Sequence, residues 1–184
     1  MPSHHFHFGA PSRYAFAAVL ALLGFASAHA ATFDEDFDDQ EKPWEEIAVQ
    51  LPAQPRPENL LPFETGPLST YRFAIDAKSL SVGSDGVVRY TLVANSSGGA
   101  TNVSYEGIRC ATYERKLYAF GHPDGKWSRS RRDQWERIAS AGPNAQHAAL
   151  FQDYFCEGKT VAGTPERMID RLRTKRPKTP LNSN

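Results

Sequence analysis

Residues 87–95, "VVRYTLVAN", decide the fold because they have the composition of a long β-strand. β-Branched and aromatic side chains dominate the stretch, and these residue types favour an extended, pleated backbone. Turn-forming sequences flank it, "GSDG" at 83–86 and "SSGG" at 96–99. A strand between two tight turns predicts antiparallel hairpins.

The strand pattern continues in both directions from this stretch. Strand-like segments lie at 70–77, 101–113, 114–121 and 126–131. In the second of these, side chains alternate up to Tyr105, and the apolar positions change phase after Gly107, which predicts a β-bulge at the glycine. The whole run predicts an antiparallel sheet of about five strands.

Two helices are predicted after the strands. In 143–155, Phe151 and Phe155 recur at helical spacing and share one apolar face. In 164–173, Thr164 stands at the N-cap and a proline follows in the first turn, where proline is tolerated. A run of strands followed by helices is typical of an α+β fold with an antiparallel sheet.

Residues 1–30 have the composition of a secretory signal peptide. Arg13 is basic, an apolar core runs over 14–25, and Ala28 and Ala30 form an A-x-A exit. The apolar core is shorter than the roughly 20 residues that a membrane-spanning helix needs. We therefore expect cleavage after Ala30, a periplasmic mature protein and no transmembrane segment in the mature chain.

Cys110 and Cys156 are the two cysteines of the chain. In an oxidising compartment two cysteines most simply form one disulfide, so we expect a Cys110–Cys156 bond that holds the first helix on the sheet. The alternative is a catalytic thiol, which needs an unpaired cysteine and surroundings that stabilise its thiolate. Nothing in the neighbouring sequence indicates such surroundings.

Composition and charge divide the remaining chain. Residues 31–46 are strongly acidic, whereas 47–69 are rich in proline but keep large apolar side chains, which predicts an ordered, extended arm. Whether this arm packs on its own domain or on a neighbour's stays open. The C-terminal tail, 174–184, is basic and could contact an anionic surface weakly. The predicted organisation is a signal peptide (1–30), an acidic head and proline-rich arm packing on the domain (31–69), an α+β domain (70–173) and a basic flexible tail (174–184).

The acidic run at 33–46, "FDEDFDDQEKPWEE", is a partial match to a calcium-binding EF-hand loop. Asp39 occupies the position where that loop needs glycine for its sharp turn. We therefore predict no metal site, and no cofactor motif is present either. Phe33, Phe37 and Trp44 would have no role in a solvated tail, so we expect the run to dock on the domain.

Catalytic motifs are absent from the sequence, which has no G-x-S-x-G, no P-loop and no closely spaced pair of metal ligands. After the signal peptide only His122 and His147 remain as histidines. His122 falls in the turn "HPDG" and is expected to be exposed. His147 lies near a helix start and is interpreted as a packing or surface residue.

An aromatic and basic segment at 115–137 is the candidate binding surface. Its proposed members are Tyr118, Trp127, Trp135, Arg129 and Arg131. Such mixtures bind anionic polymers and single-stranded nucleic acid. Because export makes nucleic acid an improbable partner, we expect an envelope protein or polymer instead. The alternative is simple strand alternation, with aromatic side chains facing the core and basic ones facing solvent.

Several segments together resemble one protein family. They are "FDEDFDD", "EKPWEE", "LPAQPRPENLLPF", "LSVGSDGVVRYTLVANS", "NVSYEGIRCATYERKLYAFG", "WERI" and "HAALFQDYFC". From Phe33 to about Arg173 the chain is similar to the cryptic neisserial protein family of exported bacterial proteins. The resemblance implies a single domain that contains both cysteines, and it implies no activity and no catalytic residue.

The sequence therefore predicts an exported, non-enzymatic protein that binds or supports a component of the cell envelope. The export signal, the expected disulfide and the lack of catalytic motifs lead to this interpretation. The alternative is an envelope hydrolase with an unrecognised, carboxylate-based site, because acidic residues are plentiful and their pairing cannot be read from the sequence.

Overall fold

The framework of the chain is one antiparallel sheet. The computed structural model describes residues 43–65, 69–139 and 145–178. The predicted signal peptide and its cleavage site after Ala30 lie outside the described residues. Within them, eight strands form the sheet. They are β1 (Leu60–Phe63), β2 (Tyr71–Asp76), β3 (Ser81–Val82), β4 (Val87–Ser96), β5 (Thr101–Arg109), β6 (Glu114–Gly121), β7 (Trp127–Arg129) and β8 (Glu136–Arg137).

β4, which contains the stretch 87–95, lies in the interior of this sheet. The strands follow the order β1-β2-β4-β5-β6-β7, with β3 beside β4 and β8 beside β6. All of these pairs are antiparallel. β4 and β5 pair over nearly their full lengths, from Val87 opposite Arg109 to Asn95 opposite Thr101. The stretch 87–95 therefore organises the strands on both of its sides.

Two helical segments follow the sheet. α1 (Ala145–Ala149) continues into a π-helical segment, Leu150–Phe155, and α2 spans Pro165–Thr174. A small hairpin of β9 (Cys156–Glu157) and β10 (Thr160–Val161) lies between them. In the described part of the chain, no helix is long and apolar enough to cross a membrane. The predicted α+β class, with an antiparallel sheet and two C-terminal helices, is confirmed.

The helices cover one face of the sheet and enclose the larger hydrophobic core. Tyr90 and Ile108 project from β4 and β5, and Phe155 packs on Tyr90 with ring centroids 5.2 Å apart. Met168 and Leu172, one turn apart on α2, are buried in the same core. Because a fully buried side chain of this size contributes roughly 1.5–3 kcal/mol by leaving water, these contacts hold both helices on the sheet.

The predicted disulfide joins this face to the helices. Cys110 follows β5 in a short 3₁₀ turn, and Cys156 begins the strand after the π-helical segment. The two residues are bonded, with their Cα atoms 5.6 Å apart. Both are almost completely buried. The bond connects the end of a central strand to the end of the first helical segment, as the sequence predicts.

The opposite face of the sheet is covered by an N-terminal stretch that has no helix or strand. Residues 43–56, which we call the cover segment, have no regular secondary structure. Their side chains Val49 and Leu51 pack against a small cluster that includes Tyr105 and Tyr118. The cover segment then leads through a 3₁₀ turn into β1, an edge strand. Proline is tolerated at a sheet edge, and Pro62 lies in this strand.

The irregularity in the sheet lies in β6 and not at Gly107, so the predicted position of the bulge is wrong. Tyr105 pairs with Ala119 and Glu106 pairs with Leu117, which leaves Tyr118 as the extra residue. Alternation in β5 is regular through Gly107. The apparent change of phase arises because both sheet faces are covered, so that an apolar residue fits on either face.

Replacing Gly107 with alanine is expected to destabilise the fold by roughly 1–3 kcal/mol, the usual effect of overpacking. A Cβ atom there would lie 2.6 Å from the Tyr118 hydroxyl and 3.0 Å from Val87 Cγ1. Gly98→Ala is the matched control, because its Cβ would meet nothing closer than 3.8 Å. Urea titration checks both variants, and equal midpoints would contradict the close-contact argument.

Candidate functional site

A buried carboxylate lies on the helix-covered face of the sheet. Glu106, on β5, places its Oε2 atom 2.6 Å from His147 Nε2. The same oxygen accepts a hydrogen bond from the Tyr90 hydroxyl at 3.3 Å, and Oε1 accepts one from the Ser104 hydroxyl at 2.6 Å. We call these four residues the helix-face network. His147 is only 2% exposed, so the pair is shielded from solvent.

The charges of the helix-face network are balanced internally. Burial alone would raise the pKa of Glu106, but the charge and hydrogen bond of His147, with the Ser104 hydroxyl, hold it below its ordinary value of 4.5. Burial and the Glu106 charge raise the pKa of Tyr90. Nδ1 of His147 has no hydrogen-bond partner among the described residues. The arrangement stabilises the packing of α1 on the sheet.

A second ionic cluster lies on the opposite face, beneath the cover segment. The carboxylate of Glu46 accepts hydrogen bonds from Lys116 Nζ at 2.8 Å and from the Tyr118 hydroxyl at 2.6 Å. Its Oε1 atom is also 3.4 Å from Arg89 Nη2. We call Glu46, Asp85, Arg89, Lys116 and Tyr118 the cover-face cluster. Because the Glu46 side chain is 17% exposed, water screens these contacts only partly.

Asp85 connects the cover-face cluster to the turn before β4. Its Oδ2 atom accepts hydrogen bonds from Arg89 Nη2 at 2.6 Å and from the Ile47 backbone N–H at 3.1 Å. Burial would raise the pKa of Asp85, but the hydrogen bonds from Arg89, Ile47 and Val87 hold it below its ordinary value. One carboxylate thus links the cover segment, the turn and the central strand.

Trp44 forms the outer end of the cover segment's contacts. Its indole N–H donates to the Asp85 carbonyl oxygen at 2.8 Å. The Arg109 guanidinium lies 3.7 Å from the centre of the Trp44 ring, and Trp135 meets Trp44 edge to face at 5.9 Å. Cation–π contacts of this kind contribute roughly 0.5–2 kcal/mol. The other two aromatic residues of the acidic run lie outside the described residues.

Replacing Glu46 with alanine is expected to lower the free energy of unfolding by roughly 2 kcal/mol, because charge-assisted hydrogen bonds are lost. Among the described residues, Lys116 then keeps one anionic partner, Asp133 at 2.6 Å. The exposed neighbour of Glu46 supplies the matched control. Glu45→Ala should change the free energy by less than about 0.5 kcal/mol. Urea titration followed by tryptophan fluorescence measures both. Equal losses in the two variants would show that the Glu46 contacts add nothing to stability.

The residues predicted to form a binding surface fall into two groups. Tyr118 is buried beneath the cover segment, and Trp127 and Trp135 are half-buried beside it. Arg129 lies on β7 and Arg131 lies just after that strand, and both are exposed. The structure therefore brings the three aromatic residues to the cover segment and leaves the two arginines in solvent.

The exposed hairpin between β6 and β7 contains the one histidine that the sequence places in a turn. His122 Nε2 is 2.6 Å from the Ser128 hydroxyl, and both residues are exposed. Nucleophilic catalysis also needs a group that orients the histidine and donors that stabilise an oxyanion. Asp124, in the same turn, instead accepts from the Lys126 backbone N–H at 3.1 Å. The pair is therefore an incomplete catalytic arrangement.

A cleft of about 410 Å³ lies between the cover segment and the turn after β2. Its polar lining includes Gln54, Arg56, Glu58, Asp76, Lys78 and Ser79. The sequence pattern places Asp76 on the polar face of β2 and gives no signal of burial. Because the cover segment lies over that face, Asp76 is only 3% exposed.

Among the described residues no group of three or more acidic, histidine or cysteine side chains is placed to hold a metal ion.

Sequence reasoning missed the charged residues that lie inside the sheet. Arg89 and Glu106 stand within apolar strand patterns, and such interruptions are the signal that could have identified them as buried partners. Burying a charge is unfavourable unless it is paired, so a charged residue in a covered strand implies a partner. Asp85, the closest partner of Arg89, lies four positions away in the flanking turn. Glu46 and His147 come from distant parts of the sequence, and no local pattern identifies them.

Comparison with known proteins agrees with the resemblance seen in the sequence. A model of the CNP1-like family matches residues 39–173, which include both cysteines. The protein named Cryptic neisserial protein 1 from Neisseria gonorrhoeae is 27% identical over 116 residues, covering 56% of this chain and 57% of that protein. The match thus spans little more than half the length of the relative. No solved structure gives a significant match. The family resemblance is confirmed, and the chain belongs to the CNP1-like family.

Proposed function

We propose that this chain is an exported, non-enzymatic protein that binds or supports an anionic component of the cell envelope. The observation that supports this proposal is a strip of exposed basic residues on the β6–β7 hairpin and just after it. We define the hairpin strip as Phe120, Lys126, Arg129, Arg131 and Arg132, all exposed to solvent. Phe120 is 48% exposed, so the strip presents an aromatic side chain together with these cations.

The charges of the hairpin strip are available to a partner. Lys126 approaches Asp124 at 3.4 Å, but both side chains are more than half exposed, and such surface pairs contribute little. The ionic groups of the helix-face network and the cover-face cluster lie elsewhere and engage one another. A rigid framework with an exposed cationic edge favours electrostatic attraction of a polyanion or an acidic protein.

Crosslinking in intact cells tests this proposal without assuming a reaction. Neutralising Arg129, Arg131 and Arg132 together with glutamine should abolish the crosslinks that the wild-type chain forms. The matched control neutralises three exposed arginines near the C-terminus, Arg167, Arg173 and Arg176. The control should keep the crosslinks. If both variants crosslink like the wild type, the hairpin strip is not the binding surface.

Export to the periplasm is part of the same proposal. The buried disulfide supports it, because structural disulfides persist in oxidising compartments and are rare in reducing ones. Cell fractionation with N-terminal sequencing of the recovered protein is the test. We expect a periplasmic protein that begins at Ala31. A cytoplasmic protein, or one that retains residues 1–30, would contradict the proposal.

The alternative, an envelope hydrolase, is favoured by one observation. Glu58 and Asp76 line the same cleft, as the two carboxylates of a glycosidase would. Release of soluble fragments from isolated envelope polymer distinguishes the two functions. Binding without release supports the first proposal. Fragment release that Asp76→Asn abolishes, while the folded state is kept, would establish the hydrolase.

A further inference from the structure

Asp76 is a buried carboxylate that lacks a cationic partner among the described residues. Its Oδ1 atom accepts a hydrogen bond from the Lys78 backbone N–H at 3.4 Å, a long contact. The contrast with Asp85 is clear, because the latter meets a guanidinium at 2.6 Å. Burial of an unpaired carboxylate is unfavourable, so a cationic group in the adjoining cleft would stabilise Asp76.

The cleft that Asp76 lines also carries positive charge. Arg56 and Lys78 are exposed at the cleft, and neither forms an ion pair within the described part of the chain. Glu58 is the other acidic side chain there. The lining thus combines a buried anion with two solvent-facing cations. The volume, about 410 Å³, falls within the roughly 300–1,000 Å³ of small-molecule sites.

Hydrogen bonds fix both walls of the cleft. On the cover segment, the Pro52 carbonyl oxygen accepts from the Trp127 indole N–H at 2.8 Å, and Gln54 Nε2 donates to the Lys126 carbonyl oxygen at 3.1 Å. On the opposite wall, the Ser79 hydroxyl donates to the Asp76 carbonyl oxygen at 3.0 Å. The Asp76 backbone is therefore held in place before a ligand arrives, which lowers the entropy lost on binding.

We propose that this cleft binds a small zwitterion, a molecule of amino-acid size that carries both a primary ammonium and a carboxylate. The ammonium meets the buried carboxylate of Asp76, and the ligand carboxylate meets Arg56 and Lys78. Opposite charges in the lining specify both ends of the ligand and disfavour molecules that carry one charge alone. This inference goes beyond the proposed function and does not depend on a partner at the hairpin strip.

Three matched ligands test the charge requirement. L-Alanine carries both charges, N-acetyl-L-alanine lacks the ammonium, and L-alanine amide lacks the carboxylate. Titration of the full chain, followed by NMR shifts of the backbone amides of 77–79, should give saturable binding of L-alanine and weaker binding of both analogues. The inference is overturned if L-alanine gives no saturable shift, or if N-acetyl-L-alanine binds as tightly.

Variants assign the two ends of the ligand. Asp76→Asn should weaken L-alanine binding roughly 30-fold or more, because a desolvated charge pair loses one partner. Asp170→Asn, an exposed carboxylate on α2, is the matched control and should leave binding unchanged. Binding by Asp76→Asn at wild-type strength overturns the inference.

Arg56→Gln provides a variant that does not disturb the interior, since Arg56 is exposed. It should weaken binding of L-alanine but leave binding of L-alanine amide unchanged, because only the carboxylate contact is lost. An equal effect on both ligands would overturn the assignment of Arg56. This variant keeps the inference testable even if Asp76→Asn fails to fold.

Discussion

Replacing Cys110 and Cys156 together with alanine is expected to lower the free energy of unfolding by about 4 kcal/mol. The bond closes a loop between residues that are 46 positions apart, and its loss returns that conformational freedom to the unfolded chain. Domains of this size have a net stability of about 5–15 kcal/mol. The double variant should therefore be partly unfolded at moderate temperature. Urea titration followed by tryptophan fluorescence gives the midpoint.

The wild-type chain in reductant is the control for the double variant. Both lack the bond, so their urea midpoints should nearly coincide and should lie well below that of the oxidised wild type. Alanine is preferred to serine because both positions are buried, and a hydroxyl there would add an unsatisfied polar group. A double variant with the midpoint of the oxidised wild type would contradict the stabilising role of the bond.

Replacing His147 with leucine is expected to destabilise the fold by about 3–5 kcal/mol at neutral pH, because it leaves the Glu106 carboxylate buried without its partner. The exposed histidine of the β6–β7 hairpin supplies the matched control. His122→Leu should change the free energy of unfolding by less than about 0.5 kcal/mol. Adding Glu106→Leu to His147→Leu should recover part of the loss, since an apolar pair can replace a buried ion pair but leaves the Tyr90 hydroxyl without its acceptor.

The effect of His147→Leu should also depend on pH. In the wild type the folded-state pKa of Glu106 lies below 4.5, so its contribution is present above that value and is lost as the pH falls through the folded-state pKa. In the variant, burial without the histidine raises the pKa of Glu106, so protonation favours the folded state. The difference in stability should therefore narrow in acid. A difference that stays constant with pH would contradict the ion-pair account.

The strands and helices were predictable because their signals are local. The stretch 87–95 and the turn at 83–86 identify themselves by composition, and the helical spacing of Phe151 and Phe155 does the same for the first helical segment. The disulfide followed from the number of cysteines and the expected compartment. Each of these inferences uses residues that are close in sequence, or the number of cysteines, and none of them requires knowledge of the packing.

The covering of the second sheet face was not predictable in the same way. Contacts from Glu46 to Tyr118 and from Trp44 to Asp85 join segments that no periodicity relates. The misplaced bulge has the same origin, because the pattern in β5 was interpreted with a single buried face. Asp76, assigned to a polar face, became buried for this reason too. The candidate cleft therefore emerged only with the three-dimensional arrangement.

The cover segment has a consequence for the order of folding. Its contacts span 41 residues to the turn at Asp85 and 72 residues to Tyr118, so they are long-range contacts made by an early part of the chain. Closing such loops is slow relative to forming the hairpins between neighbouring strands. The contacts of Glu46 with Lys116 and Tyr118 cannot form until β6 is present. The sheet face beneath the cover segment is therefore buried late in folding. A chain that pauses before β6 would leave Tyr105 exposed to other molecules.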